Sequence, residues 1–191
     1  MMQDRMTLSQ FSSYVFINFF NTINSHWDQA NDYLTTEAEV YQWLDLMSYH
    51  GLLLDQQVKA LKQEAFHTKK IRDFRDQSRS YFYSKENEEE FTHMLSEWTK
   101  GSLQFIFEQG ALVPVPLKGG ADGLLALLAY QMLHHKEAGI WEKISACQND
   151  DCLALFVNQK GRRKWCSMDV CGNRMKARKH YSKKKAGQAS E

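Results

Sequence analysis

The chain has 191 residues, 43% of them hydrophobic, with two prolines and eleven phenylalanines. That composition excludes a disordered tail protein and describes a packed, largely helical body with room for a small appended module. The net charge of +1 conceals a split: residues 160–191 carry eleven Lys and Arg against two acids, a net +9, and the residues before them carry thirteen against twenty-one, a net −8.

In chain order, Leu8, Phe11, Val15, Phe19 and Ile23 recur at helical spacing, with Phe16 and Phe20 widening the stripe. This first helix is expected to end near Asn21-Thr22, before a polar stretch from Asn24 to Tyr33. Thr36 and Glu39 form a capping box for a second helix, whose apolar face is Val40, Trp43, Leu44 and Met47 and whose stop is Gly51. Asp55 opens a long third helix running towards Tyr83, with Val58, Leu61 and Ala65 on one stripe. Its Lys69, Lys70, Arg72, Arg75 and Arg79 are interleaved with Asp73 and Asp76, which reads as a solvated face. Glu86 to Glu90 start a fourth helix with Phe91, Leu95 and Trp98 facing inward and Gly101 at its end.

The period then changes. Leu103, Phe105 and Phe107 alternate, Gly110 turns, and Pro114 and Pro116 mark the returning strand of a β-hairpin as an edge. Asp122 caps a buried helix from Leu124 to His135. A boundary near residue 140 divides the chain into a helical domain, 1–140, and a cysteine module, 141–191. The fold class is therefore mainly α (α+β): a helical body with one hairpin, then a small metal-binding finger. The body holds no catalytic constellation; its histidines are scattered, and the chain reads as no enzyme.

All four cysteines lie in the module, as two Cys-x4-Cys pairs: Cys147 with Cys152, and Cys166 with Cys171. No secretory signal is read after Arg5, and no stretch approaches the roughly 20 apolar residues of a membrane span. The expectation is a cytoplasmic protein without a membrane partner. Disulfides are disfavoured in that compartment, and paired thiolates suit one structural Zn2+. Leu153 to Val157 reads as a strand, Asn158 to Arg163 as a basic turn and Lys164-Trp165 as the return strand. Gly172 supplies unusual dihedrals for a metal knuckle, and a helix starts at about Asn173. Knuckle, hairpin and helix in that order resemble a treble-clef finger.

The run Trp165-Cys-Ser-Met-Asp-Val-Cys-Gly-Asn-Arg174, followed by Lys176, resembles the signature of the CGNR zinc finger family. Cys147, Cys152 and Leu155-Phe156-Val157 fit the same pattern. Asn21-Thr22 after an apolar run, Leu34 before a capped helix, and Trp43-Leu44 resemble the ABATE domain that usually precedes this finger. The resemblance implies a bacterial stress-related transcription regulator with the finger as its DNA-binding element. Asn158 stands where the family often has aspartate, Lys164 intervenes between Arg162-Arg163 and Trp165, and Asn18 stands where an acid is common.

The basic candidates for nucleic-acid contact are Arg162, Arg163 and Lys164 at the hairpin, and Arg174, Lys176, Arg178, Lys179, Lys183, Lys184 and Lys185 on the helix. An RNA-binding module and a protein adaptor with a purely structural finger are the alternatives. Asn18, Asn21, Thr22 and Trp43 are candidates for a polar pocket that takes a small-molecule effector, with the structural reading of these residues the plainer one. A homodimer is compatible with the chain.

Overall fold

A computed structural model describes residues 11–26, 29–108 and 110–188, the side chains of 25–26, 29–30 and 183–188 excepted. Among the described residues the body order is α1 (Val15–Phe20), β1 (Ile23–His26), β2 (Gln29–Asp32), α2 (Glu37–Tyr49), α3 (Asp55–Leu61), α4 (Thr68–Ser84), α5 (Glu88–Thr99), β3 (Leu103–Glu108), β4 (Ala111–Pro116) and α6 (Gly120–Glu137). A 3₁₀ turn (Trp141–Lys143) leads into β5 (Ile144–Ala146) and β6 (Leu155–Val157). A π-helical turn (Met168–Gly172) then runs into α7 (Asn173–Gln188). No helix among the described residues is long and apolar enough to cross a membrane.

The first helix is shorter than the apolar stripe suggests. All six residues of α1 are buried, and they pack against α4, α6 and β6. Ile23, which continues the stripe by spacing, instead opens β1; Leu8 lies outside the described residues. The expected polar stretch after α1 is an antiparallel hairpin that pairs Ile23 with Asp32. The capping box at Thr36 and Glu39 forms as expected, and Gly51 and Gly101 take positive φ just past α2 and α5.

The long third helix is broken. α3 ends at Leu61 and α4 begins at Thr68, because the core takes Phe66 and leaves Ala65 outside, a one-residue change of phase. The Phe66 N–H donates to the Glu37 carboxylate (2.9 Å), which holds the break open. Gly120, at φ +59°, fits against this bend: a Cβ there would lie 2.4 Å from the Ala65 carbonyl oxygen. Gly119 precedes α6, so Asp122 sits in the first turn and pairs with Lys70 instead of capping.

The expected solvated face of α4 is only partly solvated. Lys69 and Lys70 make exposed ion pairs, whereas Arg75 and Arg79 are buried. Arg75 forks onto both carboxylate oxygens of Asp32 (2.7 and 2.8 Å) and reaches Asp76 and Thr22. A buried guanidinium survives only with such partners. Burial works to raise the Asp32 carboxyl, but the Arg75 hydrogen bonds and charge, with the Leu34 N–H and Arg72, outweigh it and hold it below the ordinary range. Arg79 donates to the carbonyls of Phe20 and Leu153, the latter at 2.7 Å.

Around this ion pair runs one main core. It takes Phe16, Phe19, Phe20, Trp43, Phe74, Phe82, Phe91 and most of α6, and continues through Ile140, Trp141, Ile144 and Leu155. A second, small cluster holds Cys147, Cys166, Cys171, Ala154 and Phe156, with Cys152, Trp165 and Val170 against it.

Candidate metal centre

The strand that follows the first cysteine pair has a different partner from the expected one. β6 pairs with β5, residue 144 opposite 157, and Lys164-Trp165 is not a strand. Ile144 and Leu155 are buried in the main core, so this pairing is fastened from below by hydrophobic contact. The loop after β6 is closed by one side chain. Asn158 donates through Nδ2 to the Arg163 carbonyl (2.9 Å) and accepts the Arg163 N–H on Oδ1 (3.1 Å). Gly161 takes positive φ within it.

This loop returns the chain so that four sulfurs converge. The Sγ atoms of Cys147, Cys152, Cys166 and Cys171 all lie within 4.8 Å of one another. Cys152 and Cys166 are 3.8 Å apart, and Cys166 and Cys171 3.6 Å. A tetrahedral zinc with Zn–S bonds of about 2.3 Å sets its sulfurs about 3.8 Å apart, so the donor set fits that ion in number, type and spacing. Cys166 and Cys171 are buried; Cys147 and Cys152 lie nearer the surface. Backbone and amide N–H groups already face the sulfurs: Cys166 N–H to Cys147 Sγ, and Asn149 Nδ2 to Cys171 Sγ, both 3.4 Å. Such donors compensate the charge of bound thiolates.

Electrostatics inside the cluster points the same way. Hydrogen bonds from Cys152 and Cys166 pull the Cys147 thiol far down, and the same bonding to Cys147 pushes Cys152 and Cys166 up. Four thiols at this range cannot all ionise unaided; a dication at their centre removes that conflict and deprotonates them together. The ion's contribution is structural cross-linking, since four protein ligands leave no open coordination position.

Cys171 lies in the π-helical turn that runs into α7, so the site anchors the start of the basic helix. Gly172 is not at positive φ there. It is needed for closeness instead: a Cβ would meet Met168 Sδ at 2.5 Å and Trp165 Cδ1 at 3.1 Å. His180 is exposed on α7, away from the ligands.

The basic candidates divide. Arg162, Lys164, Lys176 and Lys179 are exposed, and Arg174 is half-buried. Arg163 lies over the Phe156 ring (4.6 Å) and donates to the Cys166 carbonyl. Arg178 pairs with Asp151 and approaches Asn149 Oδ1 (3.5 Å), which ties α7 to the first knuckle. The side chains of Lys183, Lys184 and Lys185 lie outside those described.

The four pocket candidates are all buried, and each is engaged differently. Asn18 Oδ1 accepts from the Ser12 N–H and its Nδ2 donates to the Ser12 carbonyl, both 2.8 Å. Thr22 Oγ1 donates to Phe19 O and accepts from Arg75. Trp43 packs edge-on against Phe19. Asn21 lines a cleft of about 200 Å³ between the start of α1 and β6; Tyr14, Ile17, Leu155, Val157 and Arg163 are among its other walls. Asn21 also joins the two parts of the chain: Nδ2 donates to the Leu155 carbonyl (2.9 Å) and Oδ1 accepts the Leu155 N–H (3.0 Å). Sequence reasoning missed Asn149 and Asp151, which touch a ligand and the basic helix. Their place among the four residues between Cys147 and Cys152 was the available signal.

Residues 143–184 match the family model of the CGNR zinc finger. The match spans β5, both cysteine pairs and most of α7. No curated protein matches the chain at a significant level.

Proposed function

We propose that this is a zinc-dependent DNA-binding protein acting as a transcriptional regulator, with an ABATE-like helical body and a finger that presents α7 to the duplex. One observation carries the reading: exposed cations on two neighbouring elements, Arg162 and Lys164 on the loop and Lys176 and Lys179 on α7, flank a helix whose start is held by a zinc ligand. A cationic helix with a fixed base can set register on phosphates, which free lysines cannot. The +9 charge of residues 160–191 supplies attraction to a polyanion. The cleft beside Asn21 is the natural place for an effector, since it touches both α1 and β6.

The exposed Tyr181 on α7 favours RNA as the second reading, because unpaired bases stack on such rings. Binding of the zinc-loaded protein to duplex DNA and to single-stranded RNA at matched salt separates the two. Tighter binding to the duplex is expected. Preference for the RNA at every salt concentration overturns the proposal, and binding of neither at low salt leaves the finger as a protein adaptor.

A further inference from the structure

The β3–β4 hairpin has one covered edge and one open edge. The Leu117 N–H donates to the Ser102 carbonyl (3.0 Å), and that sets the alternation of the ladder. Inward-bonded pairs are Gln104 with Val115 and Ile106 with Val113, so the backbone groups of Leu103, Phe105 and Phe107 on β3, and of Leu112, Pro114 and Pro116 on β4, point outward. On β4 two of those three residues have no N–H, and Gln57 of α3 donates to the Pro114 carbonyl (2.8 Å). α3 therefore covers that edge at Pro114. On β3 the outward groups of Leu103, Phe105 and Phe107 find no hydrogen-bond partner among the described residues.

The open edge is apolar as well as unpaired. Phe105 is 48% exposed, Phe107 76% and its cross-strand neighbour Leu112 66%. β3 carries neither a proline nor a lysine to deter another strand, the usual defences of an edge.

We propose that β3 pairs antiparallel with β3 of a second copy of this chain, about a two-fold axis at Phe105. The register follows from the outward groups alone. Phe105 opposes Phe105, and Leu103 opposes Phe107 on each side of the axis, giving three doubly bonded pairs in one four-stranded sheet, β4-β3-β3-β4. A second copy is the occupant that the strand itself specifies: outward donors and acceptors at 103, 105 and 107 are symmetric about 105, and so are their apolar side chains. The area agrees. At about 200 Å² for a fully exposed large side chain, Phe105 and Phe107 of both copies, the side chains on the pairing strand, come to at most roughly 500 Å². The paired edges raise this to about 800 Å², the size of a weak, transient contact and not of a permanent interface. A reversible dimer is the consequence, with the backbone strand and not a large apolar core as its main element.

The test is sedimentation equilibrium of the full zinc-loaded chain over micromolar concentrations. Wild type should be in monomer–dimer exchange. Phe107→Pro removes an outward N–H without touching the hairpin's own ladder, and should weaken the dimer at least tenfold while zinc content and helical signal stay unchanged. Phe107→Thr keeps the N–H and should lose less. Phe105→Cys should cross-link between copies under mild oxidation, since directly bonded antiparallel pairs bring Cα atoms to about 5.5 Å; Ile106→Cys, on the other face, should not. A wild type that is monomeric throughout overturns the proposal. So does a dimer unaffected by Phe107→Pro, or cross-linking through residue 106 in preference to 105.

Discussion

Asn21 and Arg75 show what single side chains do for this molecule. Asn21 satisfies both backbone groups of Leu155, 134 residues away, in a fully buried setting. Asn21→Ala leaves a donor and an acceptor without partners, and should cost about 3 kcal/mol in urea unfolding at neutral pH. The Asp32 carboxylate is held below its ordinary value by Arg75 despite burial, so its contribution to stability is present above the unfolded-state value, near pH 4, and is lost as pH falls through the lower folded value. Asp32→Asn should therefore destabilise by about 3 kcal/mol at pH 7, with the gap to wild type narrowing below about pH 4. Comparing the two proteins at each pH cancels acid effects on the metal centre. Neither role was legible in the sequence. Arg75 sits in a run of charges whose first members, Lys69 and Lys70, are exposed, and its partner lies 43 residues away. The four cysteines were legible because a metal's demand is local: type, number and spacing are written within one short segment.

Among the elements, helices with caps and stops were the readable ones. The α2 capping box, the glycines after α2 and α5, and the change of period at β3 each have a short-range cause. The break between α3 and α4 has a long-range one, since the chain leaves the Val58, Leu61, Ala65 stripe to place Phe66 in the core beside Tyr41. The β5–β6 pairing was hidden for the same reason: Ile144 and Leu155 are chosen by the body core, not by the finger. For the basic helix, Arg178 is spent on Asp151, whereas Lys176 and Lys179 are exposed. The double variant Lys176→Ala, Lys179→Ala should lower the slope of log affinity against log salt by about two on duplex DNA. Arg178→Ala should cost under about 1 kcal/mol in stability, as an exposed pair does. It should change the slope less than the lysine pair. An anisotropy titration across salt concentrations reads both slopes.

At the scale of the whole molecule, the metal centre is held to the body by polar side chains. Arg79 and Tyr83 both donate to the Leu153 carbonyl, at 2.7 Å each, and Asn21 clamps Leu155 two residues on. Removing zinc should then be felt beyond residues 143–184. Chelation should leave most of the helical circular-dichroism signal, because the core around Phe19, Trp43 and α6 needs no metal. It should also lower the stability of that remaining fold by about 2 kcal/mol, through loosening of Leu155 and its bonds. An unchanged unfolding midpoint after complete metal removal would show that the body and the centre are uncoupled.

The burial of α1 has a consequence for how the protein is made. Val15, Phe16, Phe19 and Phe20 are synthesised before the surfaces that cover them, which come from α4, α6 and β6. Leu155, which Asn21 awaits, follows it by 134 residues, and at 5–20 residues per second translation takes roughly 7–27 s to supply it. For that interval the emerging chain carries an uncovered cluster of aromatic residues. Ribosomes stalled before residue 155 should therefore display nascent chains that are protease-sensitive at α1 and retained by chaperones that hold exposed apolar segments. Those stalled after β6 has cleared the exit tunnel should show protection.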